Sequence, residues 1–479
     1  MAHIFIHPKG FFNLVGNEVF DRLSFYGLVS MLVIVAVQHF NFSDQQAYQL
    51  YGAFTTLAFL VPILGGFVTD KCFSHSKSIF LGLALAVIGN VGIGLSGYHS
   101  VFIGLAFLIC GIALLKANNA SLLGLLYDSD DKRKEGGFTL LYMGMNLGAI
   151  LGPILYGFIS IWFGWRYGFF LSAIGLGGMA VFYYFKLQVF SEIEKKRLGE
   201  EKTHNLLYVA LGIVIVILVA YFLLSHLNIF PYAVAVIGLF VISILINVVM
   251  KQNKLEFKRM LFLLVLDIFA VFYFACQNQV SSSLMMFISH YSSLGYLPHK
   301  IPVQIFASLE PLFVILSAPL FAKVWQYCLG KMSPSELIMF RVGLSLVAAV
   351  ISFLLFKLAA IYGVHSVAFF LCGIILGNLF LGFGELFIGP ALLSGVTFLI
   401  SKKYQATFMG VWSLAIAFSG FFGGVIAQLT AVHSALSSNS MLVFSQAFGE
   451  IALITAVVAV VFGVISPFLR RLAVEKGNG

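Results

Sequence analysis

Long apolar stretches separated by short polar segments make up most of this chain. Fourteen of them run for about 20 residues or more, the length that an α-helix needs to cross the hydrocarbon core of a bilayer. They lack the alternation over about ten residues that is typical of transmembrane β-strands. The pattern therefore predicts an all-α membrane protein. Its spans are expected near residues 14–38, 46–69, 78–97, 101–126, 137–162, 167–187, 205–225, 229–249, 260–288, 302–325, 336–361, 366–399, 405–431 and 441–468.

Basic residues are concentrated in alternate loops between these spans. One set of loops contains most of them, as in the run Lys132-Arg133-Lys134, whereas Arg166, Lys300 and Lys357 are the main exceptions in the other set. Cytoplasmic loops of membrane proteins are enriched in lysine and arginine. This asymmetry predicts that both termini lie in the cytoplasm, a topology that requires an even number of spans.

The composition supports the same class of protein. Of the 479 residues, 60% are hydrophobic and 10% are charged, whereas a soluble domain has about 25% charged residues. The formal net charge of +9 comes from the loops and does not indicate nucleic-acid binding. No cleavable signal peptide is expected at residues 1–9. Without a metal-ligand spacing, a phosphate-binding loop or a Ser/His/Asp set, we expect no enzyme, no metal and no cofactor, and the five cysteines are expected to be free thiols.

Three charged residues lie within the first span. Glu18, Asp21 and Arg22 are surrounded by apolar sequence, and each charge would cost about 2.5–3.5 kcal/mol at the centre of a membrane helix. Glu18 and Arg22 are four residues apart, so they share one helix face and can neutralise each other. Because charges at that depth are tolerated only inside a protein, this segment predicts a polar pathway through the bilayer.

The spans that carry charged residues form two groups of six. A charged segment, Glu192 to His204, follows the sixth span, and the hairpin 205–249 after it contains no intramembrane charge. Two six-helix halves are the organisation of the major facilitator fold, and Gly65–Lys71 resembles a loop signature of that superfamily. The expected domains are an N-terminal six-helix bundle at 1–190, a linker with an inserted hairpin at 191–255, and a C-terminal six-helix bundle at 256–479.

Five segments resemble, in order along the chain, the signature motifs of the proton-dependent oligopeptide transporter family. They are Glu18–Tyr26 for E-x-x-E-R-F-x-Y-Y, Gly111–Asn118 for G-x-x-x-x-K-P-N, Phe138–Gly148 for F-x-x-x-Y-x-x-x-N-x-G, Gly384–Pro390 for G-E-L-x-x-x-P, and Met409–Trp412 for M-G-x-W. These matches extend over most of the chain. The inserted hairpin is similar to one that bacterial members carry.

The resemblance implies a proton-coupled symporter that imports di- and tripeptides by alternating access, as a monomer in the bacterial cytoplasmic membrane. A short peptide is a zwitterion about 7–11 Å long, and a carrier for many sequences must hold its two termini. Arg22 and Lys116 are expected to bind the carboxylate, and Glu385 is expected to bind the ammonium group. The other residues expected at the substrate site are Tyr26, Phe59, Asn146 and Trp412.

Proton coupling requires a group that titrates in the operating range. No histidine lies in the interior of a span, so the coupling group is expected to be a buried carboxylate. Glu18 and Asp21 are the candidates. Lys116 is expected to compete with protons for these carboxylates as an ion-pair partner and, with Arg22, to complete the coupling site.

Several residues depart from the motifs of the family. Asp21 replaces a glutamate and Phe25 replaces a tyrosine, which shortens one acid and removes one hydroxyl. Val29 and Asn278 stand where many members have an arginine and an acid, which is consistent with the joint loss of a gating ion pair. Asn278 is still expected at the substrate site.

Glu310 is a further departure, because it precedes Pro311 where the family commonly has asparagine. It is expected to face the central cavity, share one region with Glu385 and contribute to the substrate site. Glu310 and the missing acid at Asn278 favour a second hypothesis, a carrier of the same fold for another small organic substrate or an antiporter for cationic drugs. A third hypothesis is a sensor that binds ligand without transport, which the retained charges of the first span argue against. Asp267 is expected to pair with a basic residue near the inner face.

Overall fold

The computed structural model describes residues 7–128, 131–198, 206–298, 300–432 and 439–473, and for residues 67, 68, 70–72, 197, 206 and 439 it describes the backbone alone. Within these residues the chain forms sixteen α-helices, with 3₁₀ turns at Asn278–Ser281, Val303–Ser308 and Gln428–Thr430. In chain order the helices are α1 (Phe11–Phe40), α2 (Asp44–Cys72), α3 (His75–Gly94), α4 (Tyr98–Leu125), α5 (Arg133–Trp162), α6 (Arg166–Tyr184), α7 (Leu187–Leu198), α8 (Leu206–Ser225), α9 (Phe230–Met250), α10 (Lys254–Gln277), α11 (Ser283–Ser293), α12 (Leu309–Leu329), α13 (Pro334–Tyr362), α14 (Val367–Leu399), α15 (Lys402–Ala427) and α16 (Asn439–Leu472).

Fourteen helical segments in the described part of the chain are long and apolar enough to cross a membrane, which confirms the predicted number of spans. One of these segments, Lys254–Ser293, consists of α10 and α11 and is interrupted by the 3₁₀ turn that begins at Asn278. The loop signature at Gly65–Lys71 falls at the end of α2. The side chains of its charged residues, Asp70 and Lys71, lie outside the described residues.

A helix that the sequence pattern did not predict occupies much of the charged segment after the sixth span. This helix, α7, carries Glu194, whose carboxylate accepts hydrogen bonds from the backbone N–H groups of His75 at 2.6 Å and Ser76 at 3.1 Å. The first N–H groups of a helix have no partner within the helix, and a negative charge there is favoured by the helix dipole. Glu194 therefore caps α3 from a distant part of the chain.

The chain divides into two compact units. The first contains Met1–Val35, Leu57–His226 and Lys300–Ser308, and the second contains Ala36–Thr56, Leu227–His299 and Leu309–Gly479. The boundary falls inside the inserted hairpin, because its two helices pack on different units. In the first unit, α8 places Ile213, Val216 and Ile217 against a buried apolar cluster on α3 and α4. In the second unit, α9 contacts α10.

Glycines of α5 allow this helix to lie directly against α1. A side chain at Gly148 would overlap the carbonyl oxygen of Val19 and would lie 2.7 Å from Cβ of Arg22. One at Gly152 would lie 2.5 Å from the carbonyl oxygen of Leu23. Small residues four positions apart are typical of close helix packing in membranes. The charged part of α1 is therefore in contact with the backbone of α5.

A buried hydrogen-bonded network joins α1 to three other helices of the first unit. The amide of Asn90 on α3 donates to the hydroxyl of Ser24 on α1 at 2.9 Å. Tyr156 on α5 donates to Ser172 on α6 at 2.7 Å, and its hydroxyl lies 3.4 Å from the amide oxygen of Asn90. Because buried polar groups must be satisfied, this network favours one rotation of α1 about its axis.

We expect Gly148→Ala to lower the melting temperature of the protein in detergent. The added methyl group must push α5 away from the backbone of α1, and overpacking of this kind costs about 1–3 kcal/mol. Gly136→Ala is a matched control on the same helix, because nothing lies within 4 Å of a Cβ at that position. The higher helix propensity of alanine should leave the control unchanged or more stable. Equal melting temperatures of the two variants would contradict the close packing of α1 and α5.

Candidate functional site

A buried ion pair lies on α1 in the first unit. Arg22 donates from Nε to Oε1 of Glu18 at 3.0 Å, and its Nη2 lies 3.0 Å from the same oxygen. The second oxygen of Glu18 accepts a hydrogen bond at 3.0 Å from Nδ2 of Asn119 on α4. Glu18 and Arg22 are 4% and 9% exposed. The ion pair predicted from the four-residue spacing is confirmed, and both carboxylate oxygens have the partners that burial requires.

Asp21 and Lys116 lie within electrostatic range of this pair. Asp21 is buried, and it interacts through its charge with Arg22, Glu18 and Lys116. The Nζ of Lys116 on α4 lies 3.6 Å from the centre of the Phe59 ring, which is a cation–π contact. In the described structure neither Asp21 nor Lys116 forms an ion pair. The expected pairing of Lys116 with a carboxylate of α1 is therefore absent in this conformation, because other groups occupy Glu18 and an aromatic ring holds the ammonium.

Aromatic side chains extend the surface that holds Lys116. Phe25 packs edge-on against Tyr26, with ring centroids 5.3 Å apart, and against Phe59, with centroids 5.8 Å apart. Phe25 is buried, whereas Tyr26, Phe59 and Lys116 are partly exposed. The structure thus brings together Arg22, Tyr26, Phe59 and Lys116, four of the residues expected to bind the substrate. Because Lys116 is partly exposed and lies against an aromatic ring, its ammonium group can bind an anionic group of a ligand without a further cost of burying charge.

An acidic cluster lies in the second unit, where α10, α12 and α14 meet. Gln277, the last residue of α10, donates from Nε2 to Oε1 of Glu310 at 2.9 Å and to Oε2 of Glu385. Two oxygens that accept hydrogen bonds from one nitrogen lie within a few ångströms of each other. The predicted proximity of Glu310 and Glu385 is therefore confirmed, and Glu310 is 8% exposed, as expected for a residue that does not face lipid. Among the described residues no cation pairs with either acid.

Three other residues expected at the substrate site have partners within their own unit. Asn278 donates to the carbonyl oxygen of Phe274 at 2.8 Å and accepts from the hydroxyl of Tyr51 at 3.1 Å, so its amide braces the break between α10 and α11. Trp412 packs edge-on against Phe274, with centroids 5.5 Å apart. Asn146 donates at 3.0 Å to a carbonyl oxygen one turn earlier in α5. In this conformation the amide of Asn278 serves packing, and Asn146 and Trp412 are only partly buried.

The predicted ion pair of Asp267 is wrong for the described residues. Asp267 lies on α10 and is 8% exposed, but no basic side chain of the described structure pairs with it. Arg259, two turns earlier on the same helix, pairs instead with Glu256 at 3.6 Å. Residues three or four positions apart lie on the same face of a helix and can pair. Glu256 is three positions from Arg259, whereas Asp267 is eight positions from it and is too far along the helix.

Two amide residues of these clusters were not expected from the sequence. Asn119 supports Glu18, and Gln277 bridges Glu310 and Glu385. Each has a weak signal in the chain. Asn119 lies three residues after Lys116, on the same face of an apolar helix, and Gln277 directly precedes Asn278 in the interrupted span. Uncharged amides are common at helix contacts in membranes, so their position alone does not distinguish a site from packing.

Comparison with known proteins identifies the family. A family model described as POT family matches residues 76–443. Dipeptide and tripeptide permease B of Photorhabdus luminescens is 30% identical over 487 residues, which covers 98% of this chain and 98% of that protein. Dipeptide and tripeptide permease A of Salmonella typhimurium (strain LT2) is 28% identical and covers 99% of this chain and 96% of its own. The chain belongs to the POT family, as its motifs predict.

Solved structures agree with this assignment. A variant of a peptide transporter POT in complex with alafosfalin superposes with a TM-score of 0.77 at 25% identity, covering 99% of this chain and 97% of that one. A POT family transporter in complex with 5-aminolevulinic acid superposes with a TM-score of 0.79 at 23% identity, covering 97% of each chain. The major facilitator fold predicted from the two groups of six spans is confirmed.

Proposed function

We propose that this chain is a proton-coupled symporter that imports di- and tripeptides by alternating access. The observation that carries the proposal is an excess of positive charge in the first unit and an excess of negative charge in the second. The first unit holds Lys116 beside the buried Arg22 without an ion-pair partner for Lys116 in the described structure, and the second holds Glu310 and Glu385 without a cation. A peptide zwitterion supplies one group for each excess. Relatives named as dipeptide and tripeptide permeases support the same substrate class.

In this proposal the termini of the peptide are the groups that the protein binds. Its carboxylate interacts with Arg22 and Lys116, and its ammonium group interacts with Glu385 through charge-assisted hydrogen bonds. The side chains between the termini contact the partly exposed aromatic residues Tyr26, Phe59 and Trp412, whose apolar rings can pack against side chains of many shapes. Because the charged groups bind the termini and the aromatic residues bind the side chains, one site can bind peptides of different sequence.

Proton coupling is assigned to Glu18 and Asp21. Both carboxylates are buried on α1 within electrostatic range of Lys116. When the carboxylate of a peptide binds Lys116, the charge of the ammonium no longer stabilises the ionised acids of α1, and one of these acids can bind a proton. Reciprocally, a bound proton frees Lys116 for the peptide, and this linkage couples the two binding events. Protons are the coupling ion, and no other cofactor is part of the proposal.

The sequence and the relatives support a location in a bacterial membrane. We propose that the protein spans the cytoplasmic membrane of a bacterium, with both termini in the cytoplasm, because the lysine-rich loops alternate as the positive-inside rule requires. The relatives named above are bacterial permeases. A monomer contains both charge excesses, so the proposed function requires no second copy of the chain.

A second candidate is a carrier in the same fold for small organic cations. The specific observation that favours it is the pair of acids on one amide, Glu310 and Glu385, which leaves more negative charge than one ammonium group needs. A ligand with an additional positive charge would neutralise both acids. Peptides that contain lysine satisfy this condition as well, so the acidic cluster also predicts a preference among peptides.

The first prediction from the proposed function concerns the coupling of uptake to protons. Lys116→Ala should abolish uptake driven by a pH gradient in proteoliposomes, because no ammonium then competes with protons for the acids of α1. Ligand exchange without a gradient should survive at least in part, since exchange needs no net proton movement. Lys402→Ala, which removes an exposed lysine, is the matched control and should leave both activities intact. Normal gradient-driven accumulation by Lys116→Ala would refute the coupling assignment.

The second prediction concerns the ammonium group of the peptide. Glu385→Gln keeps the shape of the side chain and removes its charge. A hydrogen bond to a charged group contributes about 1.5–3 kcal/mol, so the affinity for dialanine should fall about tenfold or more. Acetylation of the peptide amino group should weaken binding to the unmodified protein, and Glu192→Gln, at an exposed carboxylate of α7, should have no effect. If neither Glu385→Gln nor acetylation of the peptide changes the affinity, Glu385 does not bind the ammonium group.

The third prediction concerns the additional acid. Glu310→Asn should weaken binding of Ala-Lys relative to Ala-Ala, because one of the two negative charges is lost. It should also flatten the pH dependence of binding, because the variant lacks one of the two carboxylates at which a proton can compete with a cationic ligand. Competition binding from about pH 5 to about pH 8, where perturbed carboxyl groups titrate, measures both effects, with Ala-Ala as the neutral reference. The same preference and pH profile in the variant would assign Glu310 a structural function only.

A further inference from the structure

A backbone carbonyl that lacks its regular helical partner lies next to Glu385 on α14. Pro390 is inside this helix and has no N–H group to donate. In a regular α-helix the N–H of residue 390 would bond to the carbonyl oxygen of Leu386, four residues earlier. That oxygen instead accepts a hydrogen bond at 3.0 Å from Nη2 of Arg341 on α13. A side chain from another helix thus replaces the backbone bond that Pro390 removes.

Arg341 occupies an unusual environment for an arginine. It is 9% exposed, its guanidinium lies 4.9 Å from the ring of Trp325 on α12, and its Nε has no hydrogen-bond partner in the described structure. No carboxylate of the described residues pairs with it. Around Trp325 lies an apolar cluster that includes Leu386. Burial of a charge against one carbonyl group is unfavourable by itself, which indicates that the contact serves the geometry of α14.

The same turn of α14 is held from its other end by α10. The hydroxyl of Tyr273 donates to the carbonyl oxygen of Leu381. In a regular helix the carbonyl oxygen of Leu381 is the partner of the N–H of Glu385, so the phenol contacts the turn that carries Glu385. Gly384 permits this approach, because a Cβ there would lie 2.6 Å from the hydroxyl oxygen. Both ends of the segment Leu381–Leu386 are therefore fixed by side chains of neighbouring helices.

We propose that Arg341 is a positioning residue that holds Glu385 in its ligand-binding place through the carbonyl group of Leu386. With the carbonyl unbound, the turn between the phenol and Pro390 has fewer backbone hydrogen bonds and more conformations. The carboxylate of Glu385, adjacent to Leu386, then samples positions away from the Gln277 amide and from the ligand. The inference rests on the proposed function, because it assigns to Arg341 the placement of the acid that binds the peptide ammonium.

The test is a set of double-mutant cycles on the full chain in detergent, with dialanine as the probe. Arg341→Met should raise the Kd for dialanine about threefold to tenfold, less than Glu385→Gln, because the lost hydrogen bond acts on the ligand only through the position of Glu385. Pro390→Ala restores an N–H that can bond to the carbonyl oxygen of Leu386. In the Pro390→Ala background, Arg341→Met should therefore change the Kd by less than about twofold. It should also add little in the Glu385→Gln background.

Two further variants control for folding and for charge. Arg341→Gln keeps a hydrogen-bond donor without the buried charge and should weaken binding less than Arg341→Met. If the Arg341→Met protein does not fold, Arg341→Gln takes its place in the double-mutant cycles. Arg470→Met removes an arginine that pairs with Glu336 rather than with α14, and it should leave the Kd unchanged.

The outcomes separate the two levels of the argument. The positioning function is refuted, and the peptide site stands, if Glu385→Gln weakens binding but Arg341→Met does not. The same conclusion follows if Arg341→Met causes an equal loss in the Pro390→Ala background and in the unmodified chain. If Glu385→Gln itself leaves the Kd for dialanine unchanged, the proposed ammonium site is refuted and the function of Arg341 with it.

Discussion

A charge buried in a membrane protein must find a partner, and this constraint organises the first unit. Glu18 and Arg22 neutralise each other on α1, and Asn119 binds the remaining carboxylate oxygen. Loss of either partner of such a pair costs about 3–5 kcal/mol, so the neighbouring helices must keep α1 at one rotation and one distance. Close packing at Gly148 and the hydrogen bonds of Asn90 contribute to both.

The same constraint makes the incomplete pairs informative. Lys116 rests on the ring of Phe59, and Glu310 and Glu385 share the amide of Gln277; in the described structure none of the three has an ion-pair partner. Opposite charges left without counterions in separate units are costly for a protein that has only to fold. In the proposed function they serve to bind a zwitterion, which supplies the charge that each unit lacks.

Backbone irregularities lie beside these charged groups. The span that carries Gln277 is interrupted at Asn278, and the turn that carries Glu385 lacks a regular hydrogen bond at Leu386 and receives a side-chain hydrogen bond at Leu381. Non-helical backbone at membrane depth requires other partners for its polar groups. Tyr273 and Arg341 are such partners. The glycine and proline of the motif at Gly384–Pro390 therefore have a physical explanation, since the glycine admits the phenol and the proline frees the carbonyl for the guanidinium.

The sequence by itself determined the class, the number of spans and which charged groups are available to the candidate site. Apolar length, the four-residue spacing of Glu18 and Arg22, and the presence of Glu310 and Glu385 are local or chemical properties, and each can be read along one chain. Tertiary structure alone decided which other side chains contact the charged residues and the backbone beside them. Asn119, Gln277, Tyr273 and Arg341 meet their partners across helices, and Lys116 contacts a ring rather than a carboxylate, because these contacts depend on the rotation and separation of helices far apart in sequence. The pattern of one helix specifies which face is apolar, but it does not specify which residue of another helix lies opposite.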